Sequence, residues 1–288
     1  MIVLNLKDYP RKEYNIQQLT QPPCFDLQGE RFYFVMDDGY DYELNILDHE
    51  NLEWSKEGSA PKREFYRCLK SDDTTYILHY EVKGAEQRTG HTYVIDREQR
   101  LVTMLRCKLG ENPKFPMIVS SHFDFGAIQV EGEYLPFKRH CYSNEIMGTT
   151  VQWHWRSNFF TQHYYYTSDH YRITVPSRIS TAMEFGGATS KKPGSDEWSR
   201  YIKIKENMFL FVLVEAYSER LVGGAGNFRS NNMAFLQNYD RMYHVGRSFG
   251  TGMRPDGSSF PINMLFGAFG QPVELDPAFL SYPNPFTV

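Results

Sequence analysis

Short runs in which apolar and polar side chains alternate recur through the first half of the chain. Alternation with a period of two is typical of β-strands that bury one face. The runs lie at residues 30–36, 41–47, 75–82, 91–95 and 101–107, with turn-forming clusters such as 37–39 and 71–73 between them. Closely spaced strands of this kind predict an up-and-down antiparallel sheet. The sequence pattern permits short helices only near residues 112–116 and near the amino end.

The same order of signals begins again after the polar stretch 131–139. The alternating run that follows Gly29 resembles the run that follows Gly148. Further matches come in the same order along the chain, namely 66–70 with 201–205, 76–81 with 209–215, and 93–104 with 234–245. An internal duplication predicts this order, although plain strand periodicity could imitate parts of it.

Sequential antiparallel strands with short turns close readily into a barrel, because closure removes exposed strand edges. A barrel of about eight strands encloses one small ligand. We therefore predict an all-β chain with two tandem lipocalin-like (calycin) antiparallel barrels from an internal duplication, at residues 1–135 and 136–253. Residues 254–288 are rich in proline and glycine, which interrupt strands. We expect them to form an irregular tail packed over a barrel or across a subunit interface.

The composition agrees with two β domains and argues against some classes of binding partner. The 288 residues are 16% aromatic, which favours strands and apolar pocket walls. A net charge of −4 gives no excess of cations for nucleic acid or an anionic membrane. The first ten residues lack a signal-peptide core, and the longest apolar stretch, 208–214, is too short to span a bilayer. We expect a soluble cytoplasmic protein with a small-molecule ligand, no nucleic-acid or membrane partner, and a homodimer as the commonest oligomer to consider.

Several motifs of known chemistry are absent from the sequence. The glycine-rich pieces 223–226 and 246–252 match neither a phosphate-binding loop nor a dinucleotide fingerprint, and we interpret them as hairpin turns. No serine nucleophile elbow is present. The cysteines at positions 24, 68, 107 and 141 form no C-x-x-C pair, so we expect buried free thiols. The sequence therefore predicts no cofactor.

Three stretches of the second half resemble a known family. Residues 148–153 with 163–166, residues 200–215 and residues 239–250 are similar to the family of molybdenum cofactor biosynthesis protein F (MoaF), a two-domain member of the calycin superfamily. The match covers most of the chain, and each motif is a strand pattern without a catalytic signature. The resemblance implies a carrier or accessory protein in molybdenum cofactor (pterin) biosynthesis.

The first barrel also resembles bacterial phenolic acid decarboxylases, through residues 32–44 and 76–81. That family decarboxylates hydroxycinnamic acids inside one barrel without a cofactor, using two tyrosines on the first strand with an arginine and a glutamate deeper in. Here the tyrosine positions fall on Phe34 and Met36 in the first barrel and on Trp153 and Trp155 in the second. Because the tyrosine pair is missing, the resemblance implies a different cofactor-free lyase or isomerase.

For the glutamate, the resemblance points to Glu215, because Phe209, Phe211 and Leu213 alternate towards it on one strand face. In an aromatic cavity its carboxyl group would gain proton affinity and could act as a general acid or base. The alternative is a strand-end glutamate that faces water. In the first barrel, Glu81 lies one position off the corresponding alternation.

The partner arginine is placed by position alone, at Arg178, with Arg63 as its counterpart in the first barrel. His163 is a further catalytic candidate. Together with neighbouring histidines and an aspartate it could form a metal site. The usual ligand spacings are absent, so we expect hydrogen-bonded histidines and no metal.

The predicted substrate-binding residues are aromatic: Trp153, Trp155, Tyr165 and Phe211 in the second barrel, and Phe34 and Tyr80 in the first. Trp153 and Trp155 share one strand face and His154 the other, so either the tryptophans or the histidine face the cavity. We predict a cofactor-free lyase or isomerase for a small phenolic or carbonyl metabolite, with Glu215 as acid/base. The alternative is a non-catalytic carrier.

Overall fold

The computed structural model describes residues 19–111, 113–114, 118–156, 159–174, 195–215, 228–253, 256 and 258–274. Every regular element in these ranges is a β-strand, which confirms the all-β prediction. The described residues contain no helix with the length and apolarity to cross a membrane. The two short helices considered from the sequence fall largely or wholly outside the described residues, as does the glycine-rich piece 223–226.

The first eight strands form a closed barrel in which each strand pairs with the next and the last pairs with the first, always antiparallel. They are β1 (Arg31–Met36), β2 (Tyr42–Ile46), β3 (Asn51–Lys56), β4 (Lys62–Lys70), β5 (Thr75–Glu81), β6 (Thr89–Asp96), β7 (Leu101–Leu109) and β8 (Val119–Ile128). Alternating side chains of these strands fill the interior, where the aromatic and aliphatic residues form one buried cluster.

The remaining strands form a second barrel. They are β9 (Cys141–Tyr142), β10 (Thr150–Arg156), β11 (Phe159–Tyr165), β12 (His170–Thr174), β13 (Ser195–Lys205), β14 (Met208–Glu215), β15 (Phe228–Asn238), β16 (Tyr243–Met253) and β17 (Ser259–Pro272). Strands β10 to β17 pair in sequence and close between β10 and β17, while the short β9 pairs with β13. The chain therefore contains two tandem eight-stranded barrels, as predicted.

Strand β17 corrects the prediction of an irregular tail from residue 254. It runs over Ser259–Pro272 and closes the second barrel. Its prolines lie near the two ends of the strand, where the loss of an N–H donor is tolerated, and its glycines make room for large rings on neighbouring strands. The piece 246–252, which we interpreted as a turn, also lies inside a strand, β16.

The two barrels have the same strand register. Phe34 and Trp153 occupy the same position on the first strand at the closing seam. Arg100 and Met242, both with positive φ, precede the seventh strand of their barrels. This agreement at both ends of the barrel supports the duplication that the sequence pattern predicts.

The register also corrects one of the sequence matches. In the hairpin of the fourth and fifth strands, Lys70 occupies the place of Lys203. Tyr66 is therefore equivalent to Ser199, two residues before the Tyr201 that the sequence match proposed. A bulge after Lys203 shifts β13 by one residue relative to β14. Because a bulge cannot be recognised from the sequence, the match of Tyr66 with Tyr201 was two residues out of register.

The barrels pack against each other through the outward faces of β4–β8 and β13–β16, which share one buried apolar cluster. Arg247 is fully buried at this contact. Its guanidinium donates hydrogen bonds to Asn232 Oδ1 at 2.6 Å, to Thr92 Oγ1 at 2.9 Å and to Cys107 Sγ at 3.1 Å. All four cysteines are free, but Cys141 is exposed, so the expectation of burial is wrong for that thiol.

Candidate functional sites inside the two barrels

Aromatic side chains line the interior of the first barrel. Phe34 and Tyr80, both predicted to bind substrate, are buried there with Trp54 and Tyr93. The Phe34 ring stacks on Tyr93 with centroids 5.4 Å apart, and Tyr80 stacks on Tyr93 at 6.0 Å. These rings give the interior flat apolar walls.

Glu64 is a buried carboxylate in this interior. On β4 it alternates with Tyr66 and Cys68, which belong to the interior cluster, so its side chain faces inward. It is 1% exposed. Oε1 accepts a hydrogen bond of 3.0 Å from the backbone N–H of Lys83, whereas Oε2 is buried and has no partner among the described residues. Buried polar atoms are nearly always satisfied, so an unpartnered carboxylate oxygen marks a candidate functional group.

Tyr80, His91 and Tyr93 form a hydrogen-bonded group beside Glu64. The Tyr80 hydroxyl lies 3.1 Å from His91 Nδ1 and 3.3 Å from the Tyr93 hydroxyl. Burial lowers the pKa of His91 to about 3 and raises the pKa of Tyr93. Burial also raises the pKa of Tyr80, and the negative charge of Glu64 adds to this effect. All three groups are therefore neutral near pH 7 and can donate or accept hydrogen bonds.

Arg106 lies near the same end of the first barrel. It donates to Asp124 through Nε at 2.5 Å and Nη2 at 2.9 Å, and this ion pair raises its pKa. Arg106 pairs across the sheet with His91 and its side chain is 36% exposed, so it reaches solvent. Arg63, the arginine proposed from position, is instead an outward surface residue with a side chain 58% exposed.

Glu81 faces away from this interior. No bulge interrupts the pairing of β5 with β6, and the Glu81 carboxylate is bound by Arg88 at 2.6 Å and 2.9 Å. Arg88 also donates to backbone oxygens of the second barrel. Glu81 therefore helps to join the barrels.

In the second barrel, Trp153 and Trp155 face inward. Trp153 is fully buried and Trp155 packs against the same interior cluster. His154 lies on the other strand face, where its ring contacts Phe160 at 5.2 Å. This arrangement decides the alternative that the sequence left open. Phe211 also belongs to this interior cluster.

Tyr165 is buried in the same interior, but its hydroxyl is used by neighbouring side chains. It accepts hydrogen bonds from Trp153 Nε1 at 3.0 Å and Gln237 Nε2 at 2.8 Å. Tyr239 in turn donates to Gln237 at 3.2 Å. This network ties three strands, β10, β11 and β15, together at one end of the barrel.

His163 is 1% exposed and lies among these aromatic residues. Its Nε2 lies 2.9 Å from Thr161 Oγ1, which also accepts a hydrogen bond of 2.9 Å from Trp155 Nε1. Burial lowers the pKa of His163 to about 3. The imidazole is therefore neutral near pH 7, which favours a hydrogen-bonding role over that of a charged acid.

Two catalytic predictions lie at the limit of the described residues. Glu215 ends β14, where its backbone pairs with Asn231, but its side chain is outside the described part. Arg178 is outside it altogether. The second barrel does bury a different glutamate, Glu197, which is 0% exposed.

Glu64 and Glu197 occupy the same register position. Leu52 pairs with Glu64 in the first barrel, and its equivalent Tyr171 pairs with Glu197 in the second. Among the inward-facing positions of the described strands that are buried in both barrels, this is the only one with the same residue in both. The sequence contained a signal for Glu64, because it continues the alternation of Tyr66 and Cys68 by one step.

Among the described residues, no group of three metal-ligating side chains lies close enough to hold a metal ion. The His170 ring bonds to its neighbour Asp169 at 3.0 Å, and His163 bonds to Thr161. Comparison of the chain with protein-family models and with curated proteins gave no match.

Proposed function

We propose that this protein is a cofactor-free lyase or isomerase whose acid/base centre lies inside the first barrel, with Glu64 as the acid/base group. The observation that carries the proposal is the buried Glu64 carboxylate, of which one oxygen has no partner among the described residues, at the one buried interior position of the described strands that keeps its residue in the second barrel. A buried ionisable group among aromatic walls is the usual setting of a general acid or base.

In this proposal, the substrate lies against Trp54 and Tyr93 and presents a proton to Glu64 Oε2. The carboxylate takes the proton and returns it to another substrate atom, or to a leaving group. Both outcomes balance without an external electron donor or acceptor. When Tyr80 donates its hydroxyl proton to His91 Nδ1, the neutral imidazole carries its own hydrogen on Nε2. This N–H stabilises the negative charge that develops on a substrate oxygen, as a pre-placed hydrogen-bond donor does.

The substrate class follows from the walls and the charges. The aromatic interior favours a small aromatic compound, and Arg106 at its solvent-reaching end favours an anionic or phenolic group there. The resemblance of the first barrel to phenolic acid decarboxylases supports the same class. We therefore assign a small phenolic or aromatic carbonyl compound as the substrate.

The test is a turnover screen of the wild type and the variant Glu64→Gln. The panel contains 4-hydroxycinnamic acid, 4-hydroxybenzaldehyde and phenylpyruvic acid, each followed by its ultraviolet absorbance. Loss of a general acid or base slows catalysis by about 10² to 10⁴-fold, so Glu64→Gln should lose at least about a hundredfold of the wild-type rate.

Two control variants make the result specific. Glu81→Gln changes an outward glutamate of the same barrel and should keep the wild-type rate. If Glu197→Gln abolishes turnover and Glu64→Gln does not, the acid/base centre lies in the second barrel and our assignment is wrong. Binding of panel compounds without any turnover by the wild type would contradict the enzyme proposal and favour the carrier.

A further inference from the structure

The interior of the second barrel contains imidazole nitrogens that no group in the described part of the chain satisfies. His244 is 0% exposed, and among the described residues neither of its ring nitrogens has a hydrogen-bond partner. Nδ1 of His163 also lacks one. Leaving a buried polar atom unpaired costs about 1 to 3 kcal/mol. Three such atoms inside one barrel indicate a molecule that binds there.

Both faces of His244 are covered by aromatic rings, so a partner can reach its nitrogens only at the edge of the ring. Trp153 stacks on the ring with centroids 4.3 Å apart and an interplanar angle of 16°. Phe235 stacks on it at 4.4 Å and 8°. Because the ring nitrogens of an imidazole lie on its edge, both remain available to a partner that approaches in the plane of the ring.

Trp155 connects the two histidines. Its ring centroid lies 4.9 Å from His244, 6.5 Å from His163 and 5.4 Å from Phe235. Trp155 faces inward, yet it is only partly buried. Trp155 is therefore the member of this group that a ligand can contact from the solvent.

The hydrogen bonds around His163 determine which of its nitrogens is a donor. Thr161 Oγ1 accepts from Trp155 Nε1, so its own proton is available to His163 Nε2. His163 Nδ1 then carries a hydrogen and is a donor. Burial lowers the pKa of both His163 and His244, so each ring is neutral near pH 7 and attracts no anion.

We propose that the second barrel binds a planar, uncharged heteroaromatic molecule. Its edge carries an acceptor for His163 Nδ1 and a group that hydrogen-bonds to His244, and one of its faces packs against Trp155. This site is distinct from the acid/base centre in the first barrel and does not depend on the function proposed for it.

The experiment compares three probes of similar size by isothermal titration calorimetry at pH 7.5. Quinazolin-4-one is planar and uncharged and has an N–H and a carbonyl oxygen, naphthalene has no polar atom, and 2-naphthoate is an anion. The wild type should bind quinazolin-4-one at least tenfold more tightly than either of the others. Equal affinities, or no binding of quinazolin-4-one, would overturn the proposal.

The variants separate the hydrogen bonds from the fold and from the first barrel. His244→Phe keeps the stacked ring and removes the nitrogens, and should weaken quinazolin-4-one about tenfold while leaving naphthalene unchanged. His163→Phe should also weaken quinazolin-4-one about tenfold and leave naphthalene unchanged. It serves as a second test of the hydrogen bonds if His244→Phe does not fold. Glu64→Gln should bind quinazolin-4-one like the wild type. Unchanged affinity in both folded histidine variants would contradict the assignment.

Discussion

Gly246 and Gly270 allow the ring stack of the second barrel to form. A Cβ at position 270 would lie 2.7 Å from Trp153 Cζ3, and a Cβ at position 246 would clash with the Phe235 ring and the backbone oxygen of Ala234. Only glycine lets the large rings on the neighbouring strands lie flat across these positions.

Gly246→Ala should therefore destabilise the protein. Forcing an extra carbon into a filled core costs about 1 to 3 kcal/mol, and here part of the obstacle is backbone. Urea unfolding should show a lower free energy of unfolding by this amount. Glu53→Ala, on the outward face of β3, is the control and should change it by less than about 0.5 kcal/mol. A Gly246→Ala protein as stable as the wild type would mean that the rings can move aside.

At the scale of single residues, the alternation of apolar and polar positions correctly predicted which aromatic residues face inward. Trp153, Trp155 and Phe211 lie inside the second barrel because each continues a period of two through apolar neighbours. Glu64 was missed because a charged residue interrupts the apolar pattern while keeping the period. His244 was missed because its burial depends on rings from two other strands, which no local pattern reveals.

At the scale of the element, the strand β17 decides whether the second barrel closes. Its inward residues, Phe266 and Ala268, pack in the barrel interior, and it pairs with both β10 and β16. The sequence pattern did not predict this strand, because proline and glycine are on average rare inside β-strands. Long-range pairing, which sequence patterns do not contain, overrides that local tendency.

A chain that ends after Ser258 should fail to form the second barrel. Removal of β17 leaves the hydrogen-bonding edges of β10 and β16 unpaired and the interior cluster open, which promotes aggregation. Near-ultraviolet circular dichroism should show loss of the tryptophan signals, and size exclusion should show large species. A truncated chain that forms no large species and keeps the full near-ultraviolet spectrum would contradict the role of β17.

At the scale of the whole molecule, buried histidines link folding to pH. His79 lies at the contact between the barrels, 5.9 Å from Phe249, while His91, His163 and His244 are inside them. Burial lowers the pKa of each, to about 3 for His91 and His163. The unfolded chain therefore binds protons below about pH 6.5 that the folded protein does not bind.

The free energy of unfolding should accordingly fall as the pH is lowered from about 6.5 towards 4. Each of these histidines contributes about 1.4 kcal/mol per pH unit in this window. Urea titrations at pH 7.5, 6 and 5 measure the slope, and His91→Phe should reduce it by the contribution of one proton. A free energy of unfolding that does not change between pH 7.5 and 5 would contradict the neutral burial of these rings.

The general architecture could be read from the sequence because the two halves repeat one strand order, and the shared register explains why that order recurs. The packing of the barrels against each other could not, since the outward faces of β4–β8 look like ordinary amphipathic strands until their partner is known. The equivalence of Glu64 and Glu197 could not be read from the sequence either, because equivalent positions become visible only after the strands are paired.

The measurement that most directly tests Glu64 as the acid/base group is hydrogen exchange of substrate carbons with solvent. The pooled panel is incubated in D₂O with the wild type, Glu81→Gln or Glu64→Gln, and proton NMR follows the loss of C–H signals against a protein-free control. We predict that the wild type and Glu81→Gln introduce deuterium into at least one compound, and that Glu64→Gln does so at least about a hundredfold more slowly. Exchange at the same rate with Glu64→Gln, or none with the wild type above the control, would contradict the account.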